Sequence, residues 1–361
     1  MTTLLTLSPF YLSSALPDLT WSTDQQEVHV RLYYQHTGNM LADVTLAASG
    51  STVSLYETRE IVERYMRAHA LARLYPLQVM HEEEGYWQGD GALTVFFCEK
   101  NLVLPLVNGS PSESAWLESH FLSTRTTKVL PSDENAIEQL YFVQPQGTPG
   151  DPVLHANFID GSGTVANIDV TMQANWPVSS SNLYVCEFSI DSVKSAIPVA
   201  TGCQQVLSIA VQVGDRIMEY FRPARKENLA FRFLNAFNVY ESAYLCATVS
   251  RETEDGRKFA LVAGKLEHYD RKPVTVYEVQ TAPLSFEQAS WIDQLITSPD
   301  VRLLDDTPLI ITDGKAECSN DNTKLNAAKF SFKELDQRHT VTYVNPLANV
   351  FTVPPHSYQF A

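Results

Sequence analysis

Between Val28 and Tyr34 the apolar residues Val28, Val30, Leu32 and Tyr34 alternate with His29, Arg31 and Tyr33. A period of two marks a strand with one buried face, because successive side chains leave opposite sides of the pleat. Similar runs at Asp43 to Ala47, Val53 to Tyr56, Leu77 to His81 and Leu93 to Cys98 are separated by Gly, Ser, Asn or acidic turn residues. An antiparallel meander is the expected result. No convincing repeat with a period of about 20 to 50 residues is present, which sets solenoids and propellers aside.

One segment departs from this period. From Thr58 to Leu74, Ile61, Val62, Tyr65, Met66, His69 and Ala72 recur at three- and four-residue spacing, with Glu60, Glu63, Arg64 and Arg67 off the stripe. That pattern predicts an amphipathic helix near 58–74 covering a sheet. A run of three prolines and two glycines, Gln144 to Pro152, then admits neither helix nor ladder and is the expected main boundary. Beyond it, strand-type runs are predicted at Val153 to Ile159, Ile168 to Met172, Leu183 to Ile190, Val206 to Val213, Leu229 to Phe233, Tyr240 to Ser250, Phe259 to Tyr269 and Val274 to Gln280. Asp255-Gly256 sits where a hairpin would turn between Val249 and Phe259.

A second helix is signalled near 286–297. Ser285 stands three residues before Gln288 as a capping box, and Phe286, Ala289, Ile292, Leu295 and Ile296 share a stripe. Phe330 to Val344 alternates again, before Pro354-Pro355. The expected fold is mainly β: two antiparallel β-sandwich or barrel-like subdomains, 1–146 and 147–361, with two covering amphipathic helices. Whether the halves are diverged copies of one β-domain stays open.

Charge narrows the function. In 361 residues, 26 Lys and Arg stand against 42 Asp and Glu, a net charge of −16. Nucleic-acid affinity rests on basic side chains neutralising phosphates, and the densest basic group, Arg222, Arg225 and Lys226, already meets Glu227. No nucleic-acid partner is expected. The longest apolar runs, such as Leu93 to Cys98 and Leu102 to Val107, are strand-sized, so no membrane insertion is expected either. The first ten residues hold no Lys or Arg and are interrupted by Pro9, which argues against a signal peptide and for cytoplasmic synthesis.

No motif supplies a chemistry. Gly161-Ser162-Gly163-Thr164-Val165-Ala166 matches a dinucleotide fingerprint, yet Ile168, Val170 and Met172 alternate at period two where a helix is required. A hairpin loop is expected there. Glu82, Glu83 and Glu84 beside His81 and Asp90 lack metal-ligand spacing and are expected at a solvated loop tip. The nine histidines are scattered, no Cys lies close to another, and neither a Gly-x-Ser-x-Gly elbow nor a Walker sequence occurs. Glycine, at 15 of 361 residues, is too scarce for generous substrate loops. No catalytic residue, cofactor or metal is expected. Tyr86 and Trp87, beside an acidic Gly-flanked loop, and Trp176 are candidate interface or ligand platforms, together with Phe237 and Tyr240.

Two stretches carry a resemblance. Phe231-Arg-Phe233-Leu-Asn235-Ala-Phe237-Asn-Val-Tyr240-Glu241, then Tyr277-Glu-Val-Gln-Thr281-Ala-Pro283-Leu-Ser285 with the helix to Ser298-Pro299-Asp-Val301, are similar to structural proteins of phage-type tails and prophage-derived tail elements. Asn238, tolerant of left-handed backbone, replaces the glycine usual after the Asn strand. The resemblance implies a β-sandwich distal-tail or hub subunit, non-enzymatic, that self-associates or joins other subunits in a particle. The alternative class is a carbohydrate- or surface-binding β-sandwich that uses exposed aromatics as platforms for surface glycans.

Overall fold

In the computed structural model, residues 1–5, 8, 10–69, 74–107, 110–144, 147–174, 176, 182–254, 257–262, 265–271, 274–317 and 326–334 are described. Among the described residues the chain is mainly β, with 51% in strands and 14% in helices, and no sheet closes into a barrel. Apolar side chains gather into three cores and a fourth that joins them.

The first core lies under a five-stranded sheet ordered Phe10–Leu12, Tyr86–Phe96, Leu74–Glu83, Glu27–Tyr34, Met40–Ala47. Its pairings are antiparallel except the first, which is parallel. Val28, Val30, Leu32 and Tyr34 are all buried, as their alternation predicts. Thr3–Leu4, Leu19–Ser22 and Thr52–Leu55 form a small second sheet. Helix α1, Thr58–Ala68, inserts Val62 and Met66 into this core. It is shorter than its stripe suggests: Leu74 already belongs to a strand, and Ala72 lies outside the described residues.

The central core is a small sandwich. Thr127–Val129, Arg216–Phe221, Gln205–Val213, Val153–Ile159 and Val165–Thr171 form one sheet, faced by the antiparallel pair Glu138–Val143 and Leu183–Phe188. Leu140 and Phe142, which precede the Pro- and Gly-rich run, pack with Leu154, Ile209 and Tyr220, which follow it. Strands before and after the run thus share one core.

The third core separates a seven-stranded sheet from the helix Phe286–Thr297, the fourth in the chain and so α4. Strand order is Tyr240–Leu245, Leu229–Leu234, Val301–Leu303, Pro308–Glu317, Ala327–Glu334, Val274–Thr281, Ala247–Glu254. The helix, Phe286–Thr297, starts at the predicted capping box, with Ser285 Oγ accepting from Gln288 N and Gln288 Oε1 accepting from Ser285 N. Trp291, Ile292 and Leu295 face the sheet.

Two further helices were not expected. Glu113–Ser119 (α2) is capped by Ser112, and Ile190–Ala196 (α3) by a Ser189/Ser192 capping box that ends the predicted strand at Phe188. The hairpin between Val249 and Phe259 is also corrected: Ala247–Glu254 pairs with Val274–Thr281, while Arg257–Val262 pairs with Lys265–Arg271. Residues 255–256, the alternation after Glu334 and Pro354-Pro355 lie outside the described residues.

Candidate functional site

The five aromatics singled out in the sequence are not brought together. Tyr86 and Trp87 follow the two-residue turn Glu84-Gly85, where both residues have positive φ (52° and 79°), as a tight hairpin of twisted strands requires. Tyr86 is 73% exposed at this tip. Trp87 is not a free platform, since the Arg31 guanidinium lies 3.8 Å from its ring centroid and His29 meets it edge-on at 4.9 Å. Trp176 is half-buried against the central core, 5.5 Å from Phe142, and donates Nε1–H to Gly150 O at 3.3 Å. Phe237 is fully buried and stacks on Trp116 at 5.2 Å. It is a core side chain, which corrects its assignment as a platform. Tyr240 donates its hydroxyl to Asp300 at 2.5 Å and lies under Arg232 at 4.7 Å.

Phe237 marks the junction. Leu12, Phe96, Trp116, Leu122, Val143, Phe237 and Val239 come from all three regions and form one apolar cluster. The hairpin that carries Phe237 turns at Asn235–Asn238. Asn235 Oδ1 accepts from Phe237 N at 2.9 Å, and Asn238 adopts φ 59°, in the left-handed region.

Beside this cluster runs a buried polar network absent from the sequence reading. Lys128 Nζ lies 3.0 Å from Glu241 Oε1, and both side chains are buried. Ser123 Oγ–H and Asn235 Nδ2–H each donate to Glu241 at 2.8 Å. Burial would raise the Glu241 pKa, but the Lys128 charge and the hydrogen bonds from Asn235, Lys128 and Ser123 outweigh it and hold the carboxyl below the usual range. Glu138, fully buried nearby, accepts from Tyr244 at 2.6 Å and Tyr220 at 3.3 Å. Here burial prevails over the attraction of Lys128 and raises the pKa. Burial, then the Glu138 charge, push both tyrosines upward. A cation and two carboxyl groups shifted in opposite directions, sealed among donors, tie the central strands to the C-terminal ones.

The surface holds a second unforeseen feature. Leu102 and Leu104 pack against the junction, whereas Val103, Leu106 and Val107 are 96%, 69% and 47% exposed. Leu106–Val107 pairs antiparallel with Ser110–Pro111, and this apolar strip is presented beside that pair. Pro105 inside a strand-sized apolar run was the available signal, because proline cannot sit inside a sheet. Val165–Thr171 ends the central sheet, so its outer edge lacks a strand partner among the described residues.

The remaining motifs take structural places. Asp160 Oδ1 accepts from Ser162 N and Thr164 N at 2.8 and 2.9 Å, closing the hairpin expected at the Gly161–Gly163 segment. His81 Nδ1 lies 2.8 Å from Asp90, which also accepts from Trp21 Nε1 at 2.8 Å. Glu82 and Glu83 end a strand, and only Glu84 lies in the turn. Among the described residues no group of three or more His, Cys, Asp or Glu is placed to hold a metal ion. Among them, too, no helix is long and apolar enough to cross a membrane. No family model matches the chain, and no curated protein matches it.

Proposed function

We propose that the chain is a non-enzymatic structural subunit that works through protein–protein contacts in a larger particle, of the kind phage-type tail proteins build. The exposed apolar strip of Val103, Leu106 and Val107 carries this reading. Apolar side chains anchored on a rigid base and held out in water are what a partner surface covers. The strand edge at Val165–Thr171, without a strand partner among the described residues, supports it, since free backbone groups are a template for a strand from another subunit.

Light scattering behind a sizing column, over at least a tenfold concentration range, tests the proposal. The mass should rise above the 40.4 kDa of one chain. The double variant Val103→Asp, Leu106→Asp should assemble at least tenfold more weakly, with an unchanged circular dichroism spectrum. A constant single-chain mass, or equal assembly by the variant, contradicts the reading. The carbohydrate- or surface-binding alternative is favoured by the exposure of Tyr86 alone. A glycan-array signal abolished by Tyr86→Ala in a monomeric protein would select it.

A further inference from the structure

At the seam between the central sheet and α4 lies a cavity of about 200 Å³. Its walls are mainly apolar, from Val129, Leu245, Leu284 and Ile292, with Trp291 alongside. Two arginines, Arg125 and Arg225, also line it. Arg225 belongs to the densest basic group of a chain whose net charge is −16, so the cavity sits at an exception to the overall field.

Neither cation is tied into an ion pair among the described residues. Among the described residues, no carboxylate lies within ion-pair distance of Arg125 or Arg225. The cavity's own carboxylate, Glu227, is engaged by the backbone N–H and hydroxyl of Ser132. Arg125 lies 4.7 Å over the Trp291 ring. Burial lowers its pKa, and Glu241 and Glu287 act on it only through space. A desolvated guanidinium gains more from an anion than one in water.

We propose that this cavity binds a small organic carboxylate, with its carboxyl group against Arg125 and Arg225 and its apolar body among Val129, Leu245, Leu284 and Ile292. Size and charge select this class. An apolar cavity of about 150 Å³ admits benzene, so this one has room for a ring with a carboxyl group attached. A planar monoanion matches the guanidinium fork, whereas a phosphate dianion would carry a second charge into apolar surroundings. The carboxylate can come from a free organic acid or from the end of a peptide chain.

The test uses the full chain and ligand-observed NMR titration with phenylacetate, its neutral isostere phenylacetamide, and a short peptide ending in phenylalanine, as free acid and as amide. Phenylacetate should bind at least tenfold more tightly than phenylacetamide, and Arg125→Gln should remove that preference. Arg225→Gln, at the exposed mouth, should reduce it severalfold without affecting the fold. A peptide acid tighter than phenylacetate identifies a chain end as the source; the reverse identifies a free acid. Equal binding of acid and amide, no binding of either at millimolar concentration, or full retention in both arginine variants overturns the proposal. None of these outcomes depends on whether the chain assembles.

Discussion

Replacing Lys128 by Met removes the only cation bonded to Glu241 among the described residues and leaves its carboxylate buried, held by Ser123 and Asn235 alone. Breaking a buried pair from one side costs about 3–5 kcal/mol. Protonation of the stranded carboxyl caps that cost. Taking a glutamate of ordinary pKa, about 4.3, to its neutral form at pH 7.5 requires about 4 kcal/mol, and the requirement falls by about 1.4 kcal/mol per pH unit on acidification. The variant should therefore lose about 4 kcal/mol at pH 7.5 and about 1.5 kcal/mol at pH 5.5. In the unaltered protein, a depressed Glu241 pKa gives stability that is present above the ordinary carboxylate value and lost as pH falls through the folded one. Urea unfolding followed by tryptophan fluorescence at several pH values measures both quantities. The double variant Lys128→Met, Glu241→Gln should recover most of the loss at pH 7.5. A deficit under about 1 kcal/mol at that pH, or one that does not shrink on acidification, would refute the reasoning.

Glu138 has the opposite sign: burial raises its pKa, so its contribution is present below the ordinary carboxylate value and lost as pH rises through the raised one. Glu138→Gln should gain stability relative to the parent as pH rises, measured in the same urea series. Gly314→Ala would bring a Cβ within 2.5 Å of Ile296 Cγ2 and 3.3 Å of Phe330 Cβ, displacing α4 from its sheet. A loss of about 1–3 kcal/mol is expected by thermal melting. Ser285→Ala removes one half of the α4 capping box and should cost about 1 kcal/mol, seen as faster amide exchange in the first turn. Asn238→Gly should stabilise by about 1 kcal/mol, because Asn238 holds φ 59° while its buried side-chain amide atoms lack hydrogen-bond partners among the described residues. A lower melting temperature for that variant would count against strain at this turn.

What was legible in the sequence was local. Alternation at Val28–Tyr34 and the Ser285–Gln288 box are encoded within a few residues, and both reappear in the structure. Helix α3 escaped because seven residues allow only two buried apolar positions, Ile190 and Val193, too few to establish a period. The parallel pairing of Thr127–Val129 with Arg216–Phe221, and the meeting of Lys128 with Glu241, join segments far apart in the chain. A charged residue bound for the interior looks, along the chain, like one bound for water. The apolar strip at Val103 escaped for the converse reason, since its composition is that of a buried strand.

The central sandwich sets a timetable for synthesis. The strand Glu138–Val143 is completed well before its partner, Leu183–Phe188, and the sheet opposite needs Gln205–Val213 and Arg216–Phe221 as well. Leu140 and Phe142 therefore leave the ribosome with no core to enter and must wait for roughly eighty more residues. During that interval the nascent chain carries an unpaired apolar strand, and the first region to finish folding, built from the residues before Cys98, has to stand alone beside it.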